Sequence, residues 1–514
     1  MKAVKINLKI KIIGAILMLA VQAFAQKEKE VVKGWHLLDS KENGYHGISL
    51  TQAMKLLKTK TPVPVVVAVM DGGIDTNHYA LKTRLWKNEK EIAGNGKDDD
   101  KNGYVDDVHG WNFLGNANGE NVNKESQEVV RIYHQLKTKF LNQHFDSTTA
   151  NKKDLYEYDL WKRTNKILEA KQQECTGLMM VEATLNTAHF FDSLICNELH
   201  ITEYTADELE SFIPQTQRCK KAKLGYLHFI DLLELDRDKT NRQLFNELEG
   251  IVSQQKELQS AKIKPVKNFR SLIVGDNEDD FTTIHYGNNN ITGGTSPLHG
   301  THVSGIIAGL PDSAGYVRGI CNTARIMTIR CIPDGDEYDK DIALGILYAV
   351  NNGAKVINMS FGKSLSPHKL WVDDAIQYAA MHDVLIVHAS GNESKNIDQN
   401  PDYPTPLLLN NEWAKNVITV GASSDSSISE SVVTDFTNYG VATVDVLAPG
   451  VKIYSCLPNN EYGNEQGTSM SAPIVSGIAA LIRSYFPELS AIEVKYAIEQ
   501  SVDTSMANQY FKNP

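Results

Sequence analysis

The chain has 514 residues, of which 42% are apolar and 22% charged, and its net charge is −11 at pH 7. These values are typical of an ordinary soluble globular protein that is long enough for two or three domains. The acidic balance, without a dense basic patch, argues against nucleic acid or anionic lipid as a partner.

Residues 1–25 have the pattern of a secretory signal peptide. Four lysines precede an apolar stretch from Ile12 to Leu19, and small residues follow at Ala23 and Ala25. The alternative is an uncleaved membrane anchor, but the apolar stretch is short for a bilayer-spanning helix. We therefore expect export to the periplasm or the extracellular space, a mature chain that starts near Gln26, and no stable membrane insertion after signal removal.

Several apolar, β-branched segments alternate with amphipathic helical segments. The strand-like segments end in Asp, Ser, Gly or Asn, and they cover 63–71, 355–362, 384–392 and 416–423. This alternation predicts an α/β fold with a doubly wound parallel sheet. Sites in such folds lie at the carboxyl ends of the strands, which places Asp71 well for function.

The segment from about 119 to 270 has a different, helical character. Apolar residues recur there at helical spacing, namely Val129, Ile132, Tyr133, Leu136 and Phe140, and Thr205 stands three residues before Glu208, as in a capping box. The pattern predicts a mostly α-helical subdomain at 119–270. It would be inserted between a first part at 26–118 and the remainder of the main domain at 271–514.

Three short motifs carry residues that could form a catalytic triad. Asp71 follows a predicted strand, His299 stands in "LHGTHVSG" at a predicted helix start, and Ser469 stands in "GTSMSAP" at another. In this chain order they supply an orienting carboxylate, a general base and a nucleophile. Taken alone, "HGTH" fits equally a buried structural histidine or a metal pair of His299 and His302, although no HExxH signature is present.

Together the motifs "AVMDGGID", "HGTHVSG" and "GTSMSAP" resemble the aspartate, histidine and serine boxes of the subtilisin-like serine protease family, over roughly 35–116 and 275–505. The resemblance implies a subtilisin-like fold and a triad of Asp71, His299 and Ser469. It makes the neighbouring hydroxyls, Thr468 and Ser471, capping and packing groups.

The resemblance also assigns an oxyanion hole and a substrate-binding strand. The side-chain amide of Asn392, in "HASGN", would share the oxyanion with the backbone N–H of Ser469. Backbone groups of Ser360 and Gly362, in "NMSFGK", would pair with an extended polypeptide substrate, and Ala389 would line the P1 pocket. An apolar P1 residue is the corresponding expectation.

An acidic loop that begins at Asn95 predicts a structural calcium site. The candidate ligands stand at the alternate positions of a D-x-D-x-N-G pattern and at its ninth position: Asp98, Asp100, Asn102 and Asp106. The alternative is a solvated acidic loop, because the twelfth position lacks the glutamate of an EF-hand. Adjacent carboxylates repel one another unless a cation lies among them, which favours calcium.

Two features depart from the family pattern. Segment 119–270 separates the Asp71 and His299 motifs, and because its ends join the loop after Asp71 to the helix of His299, we expect it near the active-site face. Little chain precedes Asp71, so we expect no inhibitory prosegment after signal removal.

The sequence therefore predicts an exported serine endopeptidase that acts through an acyl-enzyme intermediate. A catalytically idle binding protein of the same fold is the main alternative, and a metal-dependent hydrolase that uses His299 and His302 is a third. No pattern predicts the oligomeric state.

Overall fold

The computed structural model describes residues 31–504 apart from 174, 234, 265, 294–296, 314, 316 and 430. The predicted signal peptide at 1–25 lies outside these residues. The described chain divides into two compact units, one of them Val129–Val266 and the other, the main unit, 31–128 with 267–504. Among the described helices, none combines the length and apolar character needed to cross a bilayer.

The main unit is built on a parallel sheet. Its strands are β1 (Val65–Asp71), β2 (Gly110–Asn112), β3 (Ala324–Arg330), β4 (Val356–Met359), β5 (Leu385–Ala389), β6 (Val417–Ser423) and β7 (Val446–Pro449). They lie in the order β2-β3-β1-β4-β5-β6-β7, and every neighbouring pair is parallel. A separate antiparallel hairpin consists of β8 (Ile453–Leu457) and β9 (Glu461–Glu465). The predicted parallel α/β sheet is confirmed.

The α-helices of the described chain are, in order, α1 (Leu50–Leu57), α2 (Glu128–Phe140), α3 (Lys152–Gln173), α4 (Cys175–Leu199), α5 (Ala206–Ser211), α6 (Gln217–Leu232), α7 (Asn241–Ser260), α8 (Phe269–Ile273), α9 (Leu298–Ala308), α10 (Asp339–Asn351), α11 (Lys369–Met381), α12 (Thr468–Tyr485) and α13 (Ala491–Gln500).

Helices cover both faces of the sheet, as a doubly wound fold requires. Val67 and Val69 of β1 pack into a core that contains α9, α12 and α13, whereas Ala68 and Met70 pack into a second core with α10 and α11. Successive side chains of a strand point to opposite faces, so a strand buried on both sides is apolar at nearly every position. This explains the continuous apolar run at 65–70.

All regular elements described in the unit Val129–Val266 are helices. The five apolar residues of α2 that define the predicted face are buried, and Thr205 and Glu208 form the predicted capping box at the start of α5. A hydrophobic core of this unit's own residues includes Leu185, Tyr226 and Phe245. The unit therefore has the burial that an independent subdomain needs.

The helical unit is narrower than the predicted segment 119–270. Val122 accepts a hydrogen bond at its carbonyl from Arg330, at 2.8 Å, and Glu128 pairs with Lys363 at 2.6 Å. These long-range contacts belong to the main unit. They cannot be read from local helical spacing.

Replacing 129–266 with a short Gly-Ser linker should leave the main unit folded. The chain ends on either side of the deletion are already close, because the Ser126 hydroxyl donates to the carbonyl of Lys267 at 3.4 Å and Arg270 N–H donates to Glu125 at 2.9 Å. The sheet's two cores also draw their members from the main unit. Calorimetry should show one cooperative transition.

The matched control replaces the larger segment 119–270 by the same linker. It also removes the contacts of Val122 and Arg270 with the main unit, so its unfolding midpoint should be lower. If the protein without 129–266 did not fold, the main unit's core would not be independent of the helical unit. This conclusion would hold whether or not the protein without 119–270 folds.

Candidate active site

Three of the predicted site residues lie at the carboxyl ends of three neighbouring strands, at one edge of the sheet. β1 ends at Asp71, Ser360 follows β4, and Asn392 comes three residues after β5. β4 pairs with β1 on one side and with β5 on the other. Since parallel strands open at the same edge, the three residues share the crevice at their carboxyl ends.

The imidazole of His299 is bound to the carboxylate of Asp71. His299 is the second residue of α9, and its Nδ1 lies 3.0 and 2.8 Å from the two oxygens of Asp71. Carboxylate oxygens only accept, so Nδ1 carries the proton and Nε2 is the basic atom. Gly300 permits this approach, because a Cβ atom there would lie 2.2 Å from the carbonyl oxygen of Gly73.

Burial and nearby charges act on His299 in opposite directions. Burial lowers the pKa of His299, but the charge and hydrogen bond of Asp71 and the charge of Glu465 raise it more, so the net pKa lies above that of an ordinary histidine. Glu465 ends β9 and was not identified from the sequence, because only the folded hairpin brings it to the imidazole.

His302 is a structural residue rather than a partner of His299 in a metal pair. It is completely buried, and its Nε2 lies 3.2 Å from the carbonyl oxygen of Gly463. Burial lowers the pKa of His302 to about 3, so the ring is neutral. The structure therefore offers no support for the metal-dependent hydrolase considered from the sequence.

Ser469 lies at the N-terminus of α12 and is tied to the segment after β4. Its hydroxyl donates to the carbonyl oxygen of Ser360 at 3.0 Å, and the Ser360 hydroxyl donates to the carbonyl of Ser469 at 3.0 Å. Among the described residues, no hydrogen bond joins Ser469 to His299. Such contacts are often long in the absence of substrate, and the predicted triad would require the Ser469 hydroxyl to rotate away from Ser360.

Asn392 caps α12 from outside the helix. Its Oδ1 accepts from the backbone N–H of Thr468 at 2.9 Å and from the Thr468 hydroxyl at 3.0 Å. Because the oxygen is committed to these donors, the amide Nδ2 is the end that can donate to a substrate. The hydrogen bonds that Oδ1 accepts therefore also fix the direction in which the side-chain Nδ2 of Asn392 points.

The interpretation of Thr468 as a capping hydroxyl was wrong. The cap residue of α12 is Gly467, and no side chain of the helix caps it. Thr468 instead holds Asn392 and accepts from the N–H of Gly391 at 3.2 Å. Ser471 is a packing residue as expected, since its buried hydroxyl donates to the carbonyl of Ala448 at 2.9 Å.

The predicted substrate-binding residues lie at the carboxyl ends of two adjacent strands. Ser360 and Gly362 come directly after β4, and the carbonyl of Phe361 between them is held by His388 Nε2 at 2.8 Å. Ala389 is the last residue of β5, and its side chain belongs to the hydrophobic core. A P1 contact by Ala389 stays a prediction.

The acidic loop gathers Asp98 and Asp100 with Glu91, which the sequence analysis missed. One ligand oxygen from each of the three lies within 4.8 Å of the others. Glu91 is 6% exposed; its Oε1 accepts from the N–H groups of Asp99 and Asp100 at 2.9 and 3.1 Å, whereas its Oε2 is buried without a hydrogen bond. An orphaned carboxylate oxygen among other carboxylates fits a hard cation such as calcium.

The other two predicted ligands are engaged within the loop. The carboxylate of Asp106 accepts from the N–H groups of Asn95 and Gly96 at 3.1 and 2.8 Å and lies outside the three-residue group. The Oδ1 of Asn102 accepts from the N–H of Tyr104 at 2.8 Å. The three acidic groups that lie together thus include Glu91 and not Asp106, because such a cluster is set by the fold of the loop rather than by alternate spacing alone.

The residues described above can now be compared with those of known protein families. Residues 64–513 match the model of the subtilase family, and the chain belongs to this family of subtilisin-like serine peptidases. It is 37% identical to a thermophilic serine proteinase of Bacillus sp. (strain AK1), over 42% of this chain and 49% of that protein. It is 34% identical to subtilisin DY of Bacillus licheniformis, over 41% of this chain and 73% of that protein.

A third relative is thermitase of Thermoactinomyces vulgaris, which is 35% identical over 40% of this chain and 67% of that protein. The chain thus spans about half the length of the first relative and a larger share of the other two.

Glu465→Gln should lower the pKa of His299. The carboxylate of Glu465 favours the protonated imidazolium, so removing its charge makes the proton easier to lose. NMR titration of the His299 imidazole measures the change directly. The matched control is Glu461→Gln, which removes the same charge at the other end of β9 and should leave the pKa of His299 unchanged. An unaltered titration in Glu465→Gln would contradict this electrostatic role.

Proposed function

We propose that the chain is an exported serine endopeptidase whose triad is Asp71, His299 and Ser469. The observation that carries this proposal is the hydrogen bond of 2.8 Å between His299 Nδ1 and the buried carboxylate of Asp71. It lies at the edge of the sheet where Ser469 is hydrogen-bonded to Ser360. This arrangement leaves Nε2 of the imidazole to accept a proton. Export rests on the pattern of residues 1–25.

In the proposed reaction, the Ser469 hydroxyl transfers its proton to Nε2 of His299 while its oxygen attacks a peptide carbonyl. Asp71 stabilises the imidazolium that forms. His299 then gives the proton to the leaving amine, the C–N bond breaks, and an acyl ester remains on Ser469. Water, deprotonated by His299, attacks this ester, and the returned proton regenerates the Ser469 hydroxyl.

Two donors support the charge on the tetrahedral oxygen. One is Nδ2 of Asn392, whose orientation is fixed because Oδ1 of the same amide accepts from Thr468. The other is the backbone N–H of Ser469, which lies in the first turn of α12 and therefore has no partner within that helix. Fixed donors of this kind need no reorganisation during the reaction.

The substrate is a polypeptide in an extended conformation. Backbone groups of Ser360 and Gly362 extend the line of β4 and could pair with it as an added strand. A substrate N–H that donates to the carbonyl of Ser360 competes with the Ser469 hydroxyl for the same acceptor. Substrate binding would in this way release the hydroxyl toward His299.

Calcium is the ion that we propose for the acidic loop, because its carboxylate groups are hard oxygen ligands. For this chain, we place the ion among Glu91, Asp98 and Asp100, with Asn102 next to them in the loop. The ion would neutralise carboxylates that otherwise repel one another, so its contribution is to stability.

A fluorophosphonate probe should label the wild type once and fail to label Ser469→Ala. The reagent bonds to an activated serine oxygen, so an intact-mass increase reports the nucleophile. Peptidase activity should fall by about 10⁶-fold in Ser469→Ala, because triad members act as a unit. The matched control, Ser471→Ala, removes a hydroxyl two residues away and should still be labelled. A folded wild type that is never labelled would indicate the idle binding protein instead.

Calcium should raise the unfolding midpoint of the chelator-treated wild type but not that of Glu91→Gln. An ion bound only by the folded loop stabilises it by mass action, by about 2.7 kcal/mol at 100 times its Kd. The matched control is Asp99→Asn, which changes the same charge in the same loop outside the three-residue group. Equal calcium responses of Glu91→Gln and the wild type would refute the assigned ligand set.

A further inference from the structure

The carboxylate of Asp402 lies between the two chain segments that flank Ser469. A Cβ atom at Gly362 would be 2.5 Å from Oδ2 of Asp402, and one at Gly391 would be 2.8 Å from the same oxygen. Gly362 follows β4 and Gly391 follows β5, so Asp402 reaches the crevice between two neighbouring strand ends. Any larger residue at either glycine would displace the carboxylate.

This crevice lies beside the atoms that react in the proposed mechanism. Ser360, two residues before Gly362, accepts the hydroxyl of Ser469, and Asn392, the residue after Gly391, caps the helix of Ser469. The attacked carbonyl carbon has to lie between Ser469 and Asn392. The side chain of the substrate residue that owns this carbonyl, the P1 residue, is therefore next to the crevice that contains Asp402.

Asp402 is held in place by the backbone of the next residue. Tyr403 N–H donates to the carbonyl of Lys363 at 2.8 Å, and Lys363 N–H donates to the carbonyl of Tyr403 at 3.1 Å. This antiparallel bridge ties the loop to the chain directly after Gly362. The carboxylate is thus part of a fixed wall of the crevice.

No cation in the described chain is paired with this carboxylate. Asp402 is half-buried, and within the described residues it makes neither a hydrogen bond nor an ion pair. The ammonium group of Lys363 is engaged by Glu128 at 2.6 Å and Asp339 at 2.9 Å. Lys395 is exposed and acts on Asp402 only through its more distant charge.

A second carboxylate increases the negative charge of the crevice. Oε2 of Glu393 would lie 2.8 Å from a Cβ atom at Gly391, and it accepts from Asn438 at 2.7 Å. Burial, and next the charge of Glu393, hold the pKa of Asp402 well above its usual range. A partly desolvated carboxylate with an acidic neighbour is unfavourable unless a cation approaches it.

We propose that Asp402 determines substrate specificity by pairing with a Lys or Arg side chain at the P1 position. This inference rests on the proposed function and replaces the expectation of an apolar P1 residue. A long cationic side chain matches the site in charge, while its methylene groups can lie along the glycine-lined walls. Its pairing with Asp402 supplies a direct countercharge, which no described cation provides by contact with this carboxylate.

The test compares fluorogenic peptides that differ only at P1, which is Lys, Arg, acetyl-lysine, norleucine or Leu. The wild type should cleave the Lys and Arg peptides with a kcat/KM roughly 30-fold or more above the norleucine peptide, the range expected for a desolvated charge pair. Asp402→Asn keeps the shape of the side chain and should reduce this ratio to within a few-fold. The control Asp374→Asn, an exposed carboxylate on α11, removes the same charge and should preserve the ratio.

The wild-type comparison needs no variant, so it remains decisive even if Asp402→Asn does not fold. A wild type that reacts with the fluorophosphonate but cleaves norleucine, acetyl-lysine or Leu peptides as well as Lys peptides would overturn the inference while leaving the proposed function intact. A folded wild type without labelling and without cleavage of any peptide would overturn both. Preservation of the Lys preference in folded Asp402→Asn would show that another group selects the cation.

Discussion

The register of three parallel strands is the constraint on which the whole site depends. β1, β4 and β5 lie side by side and run in one direction, so their carboxyl ends open on a single edge of the sheet. That edge receives Asp71, Ser360 and Asn392, although these residues are far apart in the sequence. Helices α9 and α12 then pack on one face of the sheet and bring His299 and Ser469 to the same edge.

The start of α12 links the stability of the fold to the proposed chemistry. Asn392 satisfies a backbone donor that the helix itself cannot satisfy, and the same contact orients the amide group that we propose as an oxyanion donor. The mutual hydrogen bonds of Ser360 and Ser469 hold Ser469 against the proposed substrate strand until, in the proposed reaction, its hydroxyl turns toward His299. One set of contacts therefore caps a helix, orients the proposed oxyanion donor and holds Ser469 beside the proposed substrate strand.

Local sequence patterns were sufficient for four strands of the sheet, namely β1, β4, β5 and β6, and for the residues at their ends. The apolar run before Asp71 and the helix starts at His299 and Ser469 depend on neighbouring residues, so spacing and residue type revealed them. Contacts between distant segments could not be found in this way: Asn392 rather than a residue of α12 provides the cap, and Glu91 joins a loop whose motif begins after it. Asp402 belongs to no motif, and only the folded chain brings it between two glycines.

The central claim is that Ser469, His299, Asp71 and Asn392 act together as one acyl-transfer site, and a crystal structure with a peptide aldehyde tests it most directly. An aldehyde that ends in Lys or Arg should form a hemiacetal with the Ser469 oxygen. Its new oxygen should lie about 3 Å from Nδ2 of Asn392 and from the backbone N–H of Ser469. A covalent bond to another residue, or an aldehyde bound unmodified away from Ser469, would contradict the account.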